Sequence, residues 1–168
     1  MGVLTSQGMG IRRAKVVLLG APGVGKTSLV ARYVHSVFSE HHKSTLGVKV
    51  DRKTVQVGEQ SVTMLIWDMH GEAEGLDVPP SYYSGAMAGL VVFDSVRPET
   101  IEVARSLGDR LIQSSPDAMI RLVANKSDLV DSSDAFTAEI DGAELHRTSA
   151  KSGDGVEELF VSVARSLT

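Results

Sequence analysis

Gly20-Ala21-Pro22-Gly23-Val24-Gly25-Lys26-Thr27 is the stretch that decides how this chain is read. Its spacing is G-x-x-x-x-G-K-[ST]. It also stands where that spacing has meaning, after the apolar run AKVVLL (14–19) and before the amphipathic stretch Lys26–His35. Glycines let a backbone curl until its N–H groups face an anion. A helix that follows turns its N-terminus to the same anion. In such a loop the lysine reaches the β- and γ-phosphates of a nucleotide and the hydroxyl residue faces Mg²⁺, which gives those roles to Lys26 and Thr27. Gly23, Val24, Gly25 and Ser28 lie beside them as nucleotide-binding candidates. The loop alone does not choose between ATP and GTP.

Outward from the loop, apolar runs alternate with amphipathic stretches. Strands are expected at 14–19, Val48–Val57, 61–68, Ala88–Asp94, 118–125 and 143–148. Gly58-Glu59 between the second and third reads as a hairpin turn. Helices are expected at Lys26–His35, at 98–113 with Pro98 in the first turn, and at 155–167. The polar stretch 130–141 reads as loop or one poor helix. Strands alternating with helices imply crossovers. The expected fold is therefore α/β, a mainly parallel six-stranded sheet with one antiparallel edge strand and helices on both faces. With 168 residues the chain makes about one domain, expected at 14–168 behind a flexible leader at 1–13.

Composition narrows the function classes. Lys plus Arg is 17 and Asp plus Glu is 21, a formal charge of −4, which argues against a nucleic-acid partner. There is no cysteine, which excludes a disulfide scaffold, a thiol nucleophile and a thiolate zinc site, and fits a cytoplasmic setting. The chain also ends just after its last helical pattern, so no prenyl membrane anchor is expected. The uncharged stretch around 81–93 is too short to span a bilayer. Met1-Gly2-Val3-Leu4-Thr5-Ser6 matches the loose N-myristoylation pattern, though a flexible leader is the plainer reading.

Base choice falls to Asn125-Lys126-Ser127-Asp128, after the fifth strand. A buried carboxylate at Asp128 would accept from the N1–H and N2–H of guanine. Adenine offers no such donor pair and would leave that carboxylate unpaired. Thr148-Ser149-Ala150-Lys151 follows the last strand, where the Ala150 amide would meet guanine O6. With GAPGVGKT, STLGV (44–48), IWDMHG (66–71), SYYSGA (81–86), NKSD and TSAK in this order, residues 14–167 resemble the Ras superfamily of small GTPases. Trp67-Asp68, STLGV and Tyr82-Tyr83 make it similar to the Rab branch in particular.

That resemblance implies a phosphate-loop nucleotide-binding G domain holding GTP or GDP with Mg²⁺. It implies that Thr45 completes the Mg²⁺ shell and bonds the γ-phosphate, that Asp68 holds a Mg²⁺ water, and that Phe38 lies against guanine. Asn125, Lys126 and Asp128 would grip the base, flanked by Ser149, Ala150 and Lys151. The Gly71 N–H would bond the γ-phosphate, and Lys26, Thr45, Gly71 and Glu72 would form the catalytic group. The γ-phosphate would order two switch loops that hydrolysis releases. Effectors, an exchange factor and a GTPase-activating protein would bind there.

Several positions depart from the family pattern. The usual D-T-A-G-Q reads Asp68-Met69-His70-Gly71-Glu72. Ionised Glu72 accepts but does not donate a hydrogen bond, so slow hydrolysis is expected. A Glu72 whose pKa is raised by the γ-phosphate would instead serve as a base, and the residues leave that alternative open. His70 stands beside the γ-phosphate or faces the surface. Pro22 removes an N–H from the phosphate loop. His42 replaces a tyrosine, and His41-His42 reads as solvated rather than as a metal site. Pro79-Pro80 should leave the switch II helix broken, short or displaced. Val50 replaces one of three partner-facing aromatics, while Trp67 is either half-buried packing or a contact residue. Two activities follow as expectations: a slowly hydrolysing GTP/GDP switch, or a GTP-binding scaffold with negligible hydrolysis. A nucleotide kinase or ATPase would need an arginine-rich lid, and no such insertion is visible.

Overall fold

The computed structural model describes residues 11–36, 47–69, 79–131 and 140–168. Its elements run β1 (Ile11–Leu19), α1 (Lys26–His35), β2 (Val48–Val57), β3 (Gln60–Met69), α2 (Pro80–Tyr83), β4 (Ala88–Asp94), α3 (Thr100–Ser114), β5 (Met119–Asn125), β6 (Glu144–Arg147) and α4 (Val156–Ser166). The strands form one six-stranded sheet in the order β2-β3-β1-β4-β5-β6. Every pairing is parallel except β2 with β3, the hairpin at the edge. Its turn is Gly58-Glu59, with Gly58 at φ 60 and Val57 opposite Gln60.

The period-2 alternation of β1 divides the core. Val16 and Leu18 point to one face, where Leu29, Val30 and Tyr33 of α1 meet Val156, Leu159, Phe160 and Val163 of α4. Tyr33 and Phe160 stack there with ring centroids 3.9 Å apart. Val17 and Leu19 point to the other face, against Ala104, Leu107 and Leu111 of α3 and Tyr83 of α2. β4 is buried along its whole length, as a strand covered on both faces must be.

The main differences from the sequence expectation are these. β1 begins at Ile11, so residues 11–13 belong to the sheet and not to the leader. Exposed Arg12 and Arg13 do not read as strand, yet they pair with Val62 and Thr63 of β3 beyond the point where β4 joins. The third helix begins at Thr100, with Pro98 in the turn before it. The Thr100 hydroxyl accepts from the Asp94 amide (2.9 Å) and donates to the Arg97 carbonyl (2.7 Å), which locks residues 94–100 as a loop and delays the helix. A 3-10 turn at Ser127–Leu129 follows β5 and has no counterpart in the periodicity. Of the stretch between the hairpin and β4, the described part begins at Pro79, and the expectation for residues 70–78 lies outside the described residues. α2 is a single turn, with Pro79 as N-cap and Pro80 at the first position.

β1 lies between strands that lead away in both directions, β3 on one side and β4 on the other. In an open α/β sheet the crevice beyond the carboxyl ends of the strands at such a switch point is the ligand site. The carboxyl ends of β1, β3, β4, β5 and β6 all open there.

Candidate functional site

The glycine-rich loop starts at Gly20, where β1 ends, and runs into α1. Gly25 caps that helix at φ 100, a left-handed conformation that L side chains rarely adopt. A Cβ there would also strike the Asn125 amide. The first amides of α1 have no carbonyl partner within the helix, and they face the crevice with its dipole. Lys26 is 5% exposed. Its ammonium donates to the carbonyls of Gly20 (2.7 Å) and Ala21 (3.1 Å), both neutral. Burial lowers its pKa to about 8, opposed by the nearby Asp68 carboxylate. A buried ammonium hydrogen-bonded to neutral carbonyls suits an incoming polyanion, which would restore its charge.

Thr27 in α1 and Asp68 near the end of β3 meet beside it, the Thr27 hydroxyl donating to Asp68 Oδ2 at 2.7 Å. Asp68 is 1% exposed, and its Oδ1 is buried with no hydrogen-bond partner among the described residues. A hydroxyl oxygen plus an orphaned carboxylate oxygen is a hard donor pair. It fits Mg²⁺, which is bound through one or two carboxylates together with waters and phosphate oxygens.

The base-reading loop is tied directly to the phosphate loop. Asn125, 1% exposed at the end of β5, donates through Nδ2 to the Val24 carbonyl (2.9 Å) and accepts from the Thr148 hydroxyl (3.0 Å). Lys126 donates to the Gly23 carbonyl at 2.8 Å. Its backbone sits at φ 62, ψ 35, left-handed for a residue with a side chain, the kind of cost that surrounding contacts sustain at functional positions. Asp128 accepts from the Ser149 hydroxyl at 2.7 Å. It is exposed, not buried as expected. The discrimination against adenine then depends on the base itself covering the carboxylate. The Ser149 carbonyl is held by the Gly153 amide (2.8 Å), which points the Ala150 amide the opposite way. Arg32 of α1 fastens the same loop, donating to the carbonyls of Ala150 (2.8 Å) and Lys151 (2.6 Å).

Thus Gly23, Val24, Gly25, Lys26, Thr27, Ser28, Asp68, Asn125, Lys126, Asp128, Ser149, Ala150 and Lys151 gather at one end of the sheet. Phe38, Thr45, Gly71 and Glu72, with His41, His42 and His70, lie outside the described residues. Two residues of the cluster had no motif to announce them. Asp94, 1% exposed at the end of β4, accepts from Lys126 Nζ (2.8 Å), Arg97 Nε (3.0 Å) and the Val96 amide (3.0 Å). Burial alone would raise its pKa; the hydrogen bonds from Lys126, Val96 and Arg97 outweigh that and hold the carboxyl below its usual range. The only sequence signal was an acid closing an otherwise apolar strand. Arg97 had none, because its reach depends on the turn that Thr100 locks.

Partner-facing candidates separate. Tyr82 (37%) and Val50 (48%) are exposed, whereas Tyr83 is buried. Trp67 is half-buried under the Lys15 ammonium, 3.9 Å from the ring centroid. Its partial exposure is compatible with both packing and a contact role.

Fold and loop together define a phosphate-loop nucleotide-binding protein. More narrowly, the family model "Ras family" matches residues 15–168, and the chain belongs to that family. It is 38% identical over 161 residues (92% of this chain, 80% of the relative) to the Ras-related protein RABF2b of Arabidopsis thaliana. It is 37% identical to the Ras-related protein Rab-5A of Dictyostelium discoideum over 160 residues (91% and 80%). With the Ras-related protein Rab-31 of Rattus norvegicus it shares 34% over 166 residues (95% and 85%). The chain is a Rab-like small GTP-binding protein.

Proposed function

We propose that this chain is a guanine-nucleotide switch that holds GDP or GTP with Mg²⁺, hydrolyses GTP slowly, and passes its state to effectors through the segments around Thr45 and Glu72. The observation that carries this reading is the interlock of two motifs far apart in sequence. Asn125 and Lys126 hold the carbonyls of Val24 and Gly23, so the base-reading loop and the phosphate loop form one rigid receptor. A guanine at Asp128 and phosphates over Lys26 would be bound by a surface already built.

Each residue then has a task. Amides of residues 23–28 and the Lys26 ammonium bind the phosphates. Thr27, Thr45 and, through water, Asp68 would hold Mg²⁺, which supplies charge neutralisation on the β- and γ-oxygens. Asp128 accepts the base donors, Lys126 packs over its face with Phe38, and the Ala150 amide meets its carbonyl. Gly71 bonds the γ-phosphate and Glu72 stands where a donor would orient the attacking water. Without that donor, hydrolysis is slow unless a regulator supplies one. The same Glu72 favours the second reading, a GTP-holding scaffold.

An exchange factor, a GTPase-activating protein and effectors are the expected partners, and exposed Tyr82 and Val50 are part of the face offered to them. No helix among the described residues is long and apolar enough to cross a membrane.

The test is competition for the nucleotide site. Unlabelled GTP and GDP should displace a fluorescent GDP and ATP should not; equal displacement by ATP would overturn the reading. Glu72→Gln should raise the hydrolysis rate. An unchanged rate would remove Glu72 as the cause of slowness.

A further inference from the structure

We propose that Arg97 is a positioning residue for the phosphate-binding amides: by holding the Pro22 carbonyl it aims the Gly23 N–H into the phosphate concavity, and Asp94 steadies Arg97 in that task. The proposal rests on the nucleotide reading above.

The geometry is a row of pinned carbonyls. Arg97 Nη2 donates to the Pro22 carbonyl at 3.1 Å, Lys126 Nζ to the Gly23 carbonyl at 2.8 Å, and Asn125 Nδ2 to the Val24 carbonyl at 2.9 Å. All the peptide bonds here are trans. In a planar trans peptide the carbonyl and the next N–H point in opposite directions. Pinning carbonyls 22, 23 and 24 from behind therefore points amides 23, 24 and 25 forward, away from the three side chains. Two of the pins belong to the base-reading motif. Arg97 is the third and belongs to no motif.

Arg97 is needed because of its neighbour. Pro22 has no N–H, so its carbonyl is the one hydrogen-bonding group its own backbone offers, and Arg97 is what holds it. Gly23, at φ 77, has no side chain to restrict it, and a Cβ there would lie 3.3 Å from Arg97 Nη2. The guanidinium suits the task because its fork is rigid: Nε goes to Asp94 Oδ2 at 3.0 Å while Nη2 goes to Pro22. The same Asp94 oxygen takes Lys126 Nζ at 2.8 Å. One buried carboxylate thus anchors two cations that hold consecutive carbonyls of the phosphate loop, and it ties the loop after β4 to the loops after β1 and β5.

The test uses the full chain loaded with Mg²⁺, with Arg97→Gln and Arg97→Lys, and reads GDP dissociation beside GMP competition. Arg97→Gln should release GDP about tenfold faster and leave GMP affinity within about twofold, because the misaimed amide serves the phosphates and not the base. Arg97→Lys should fall between, keeping the charge beside Asp94 but losing the fork. Unchanged GDP release in Arg97→Gln would overturn the proposal. So would GDP and GMP weakened in equal proportion, which would make Arg97 a general strut of the fold. If the unmodified chain binds neither GDP nor GTP, the nucleotide reading itself falls, a result distinct from either of these.

Discussion

The crevice beyond the sheet and the β2–β3 ribbon at its edge are built on opposite plans. In the crevice, side chains from the ends of β4 and β5 and from α1 converge on backbone carbonyls of neighbouring loops, and nearly every bond crosses between segments distant in sequence. In the ribbon, the backbone ladder carries the structure, and side chains such as Val50 are exposed among the described residues. The first plan leaves few freedoms, because each loop is oriented by a partner that is itself buried. The second leaves the surface free to vary without disturbing the fold. A protein that must keep one small ligand and exchange its macromolecular partners needs both.

Substitutions should separate the two regions by size of effect. Lys26→Met is expected to weaken GDP by about 4 kcal/mol, roughly a thousandfold, since it removes the buried cation facing the phosphates. The ligand-free chain should melt at the same temperature or higher, because a costly buried ammonium has gone. Binding and melting curves on the same preparation check both halves. Asn125→Ala comes next. It removes the bonds to Val24 and Thr148 and leaves both partners unsatisfied, so GDP release should quicken by about thirtyfold, near 2 kcal/mol.

Proton linkage gives a subtler contrast. Lys26 titrates at about 8 without ligand, and phosphate nearby raises its pKa. Binding should therefore take up a proton between about pH 8 and 10, and calorimetry in buffers of different ionisation enthalpy would read it. In the same range the ligand-free chain should gain stability as pH rises, since the unfolded state then holds more protons on Lys26 than the folded one. Asp94 gives a slope of the same sign in a lower range, but there the charged form is the one the fold stabilises. Its folded pKa lies below the ordinary carboxylate value, so its contribution is complete above about pH 4 and is lost as pH falls through the folded pKa. Faster GDP release on acidification below pH 4, blunted in Asp94→Asn, is the expected record. The smallest effects belong to exposed surface positions: Val50→Ala in the ribbon and Tyr82→Ala in α2 should leave GDP release unchanged and shift stability by no more than about 0.5 kcal/mol.

What the sequence disclosed follows the same division. The phosphate loop was legible because its chemistry requires glycines, a lysine and a hydroxyl at fixed spacing, and the strands were legible because burial imposes alternation. Pro79-Pro80 stand at the start of α2, where proline's local constraint on the backbone suits a first turn. Asp94 and Arg97 were not legible. Their importance lies in contacts across the crevice, and no local pattern encodes which carbonyl a distant guanidinium will reach. Asp128 was placed correctly in the chain but expected to be buried; only the loop's packing shows that its carboxylate meets solvent and Ser149. The start of β1 was missed because Arg12 and Arg13 carry no burial signal, although their backbones continue the ladder with β3.

The central claim is a switch that binds GTP and hydrolyses it slowly. Single-turnover hydrolysis of preloaded GTP with Mg²⁺, the bound nucleotide identified by chromatography, tests it most directly. Slow but complete conversion to GDP, accelerated in Glu72→Gln, is the predicted result. GTP recovered unchanged after many hours from both proteins would contradict it and leave a nucleotide-holding scaffold in its place.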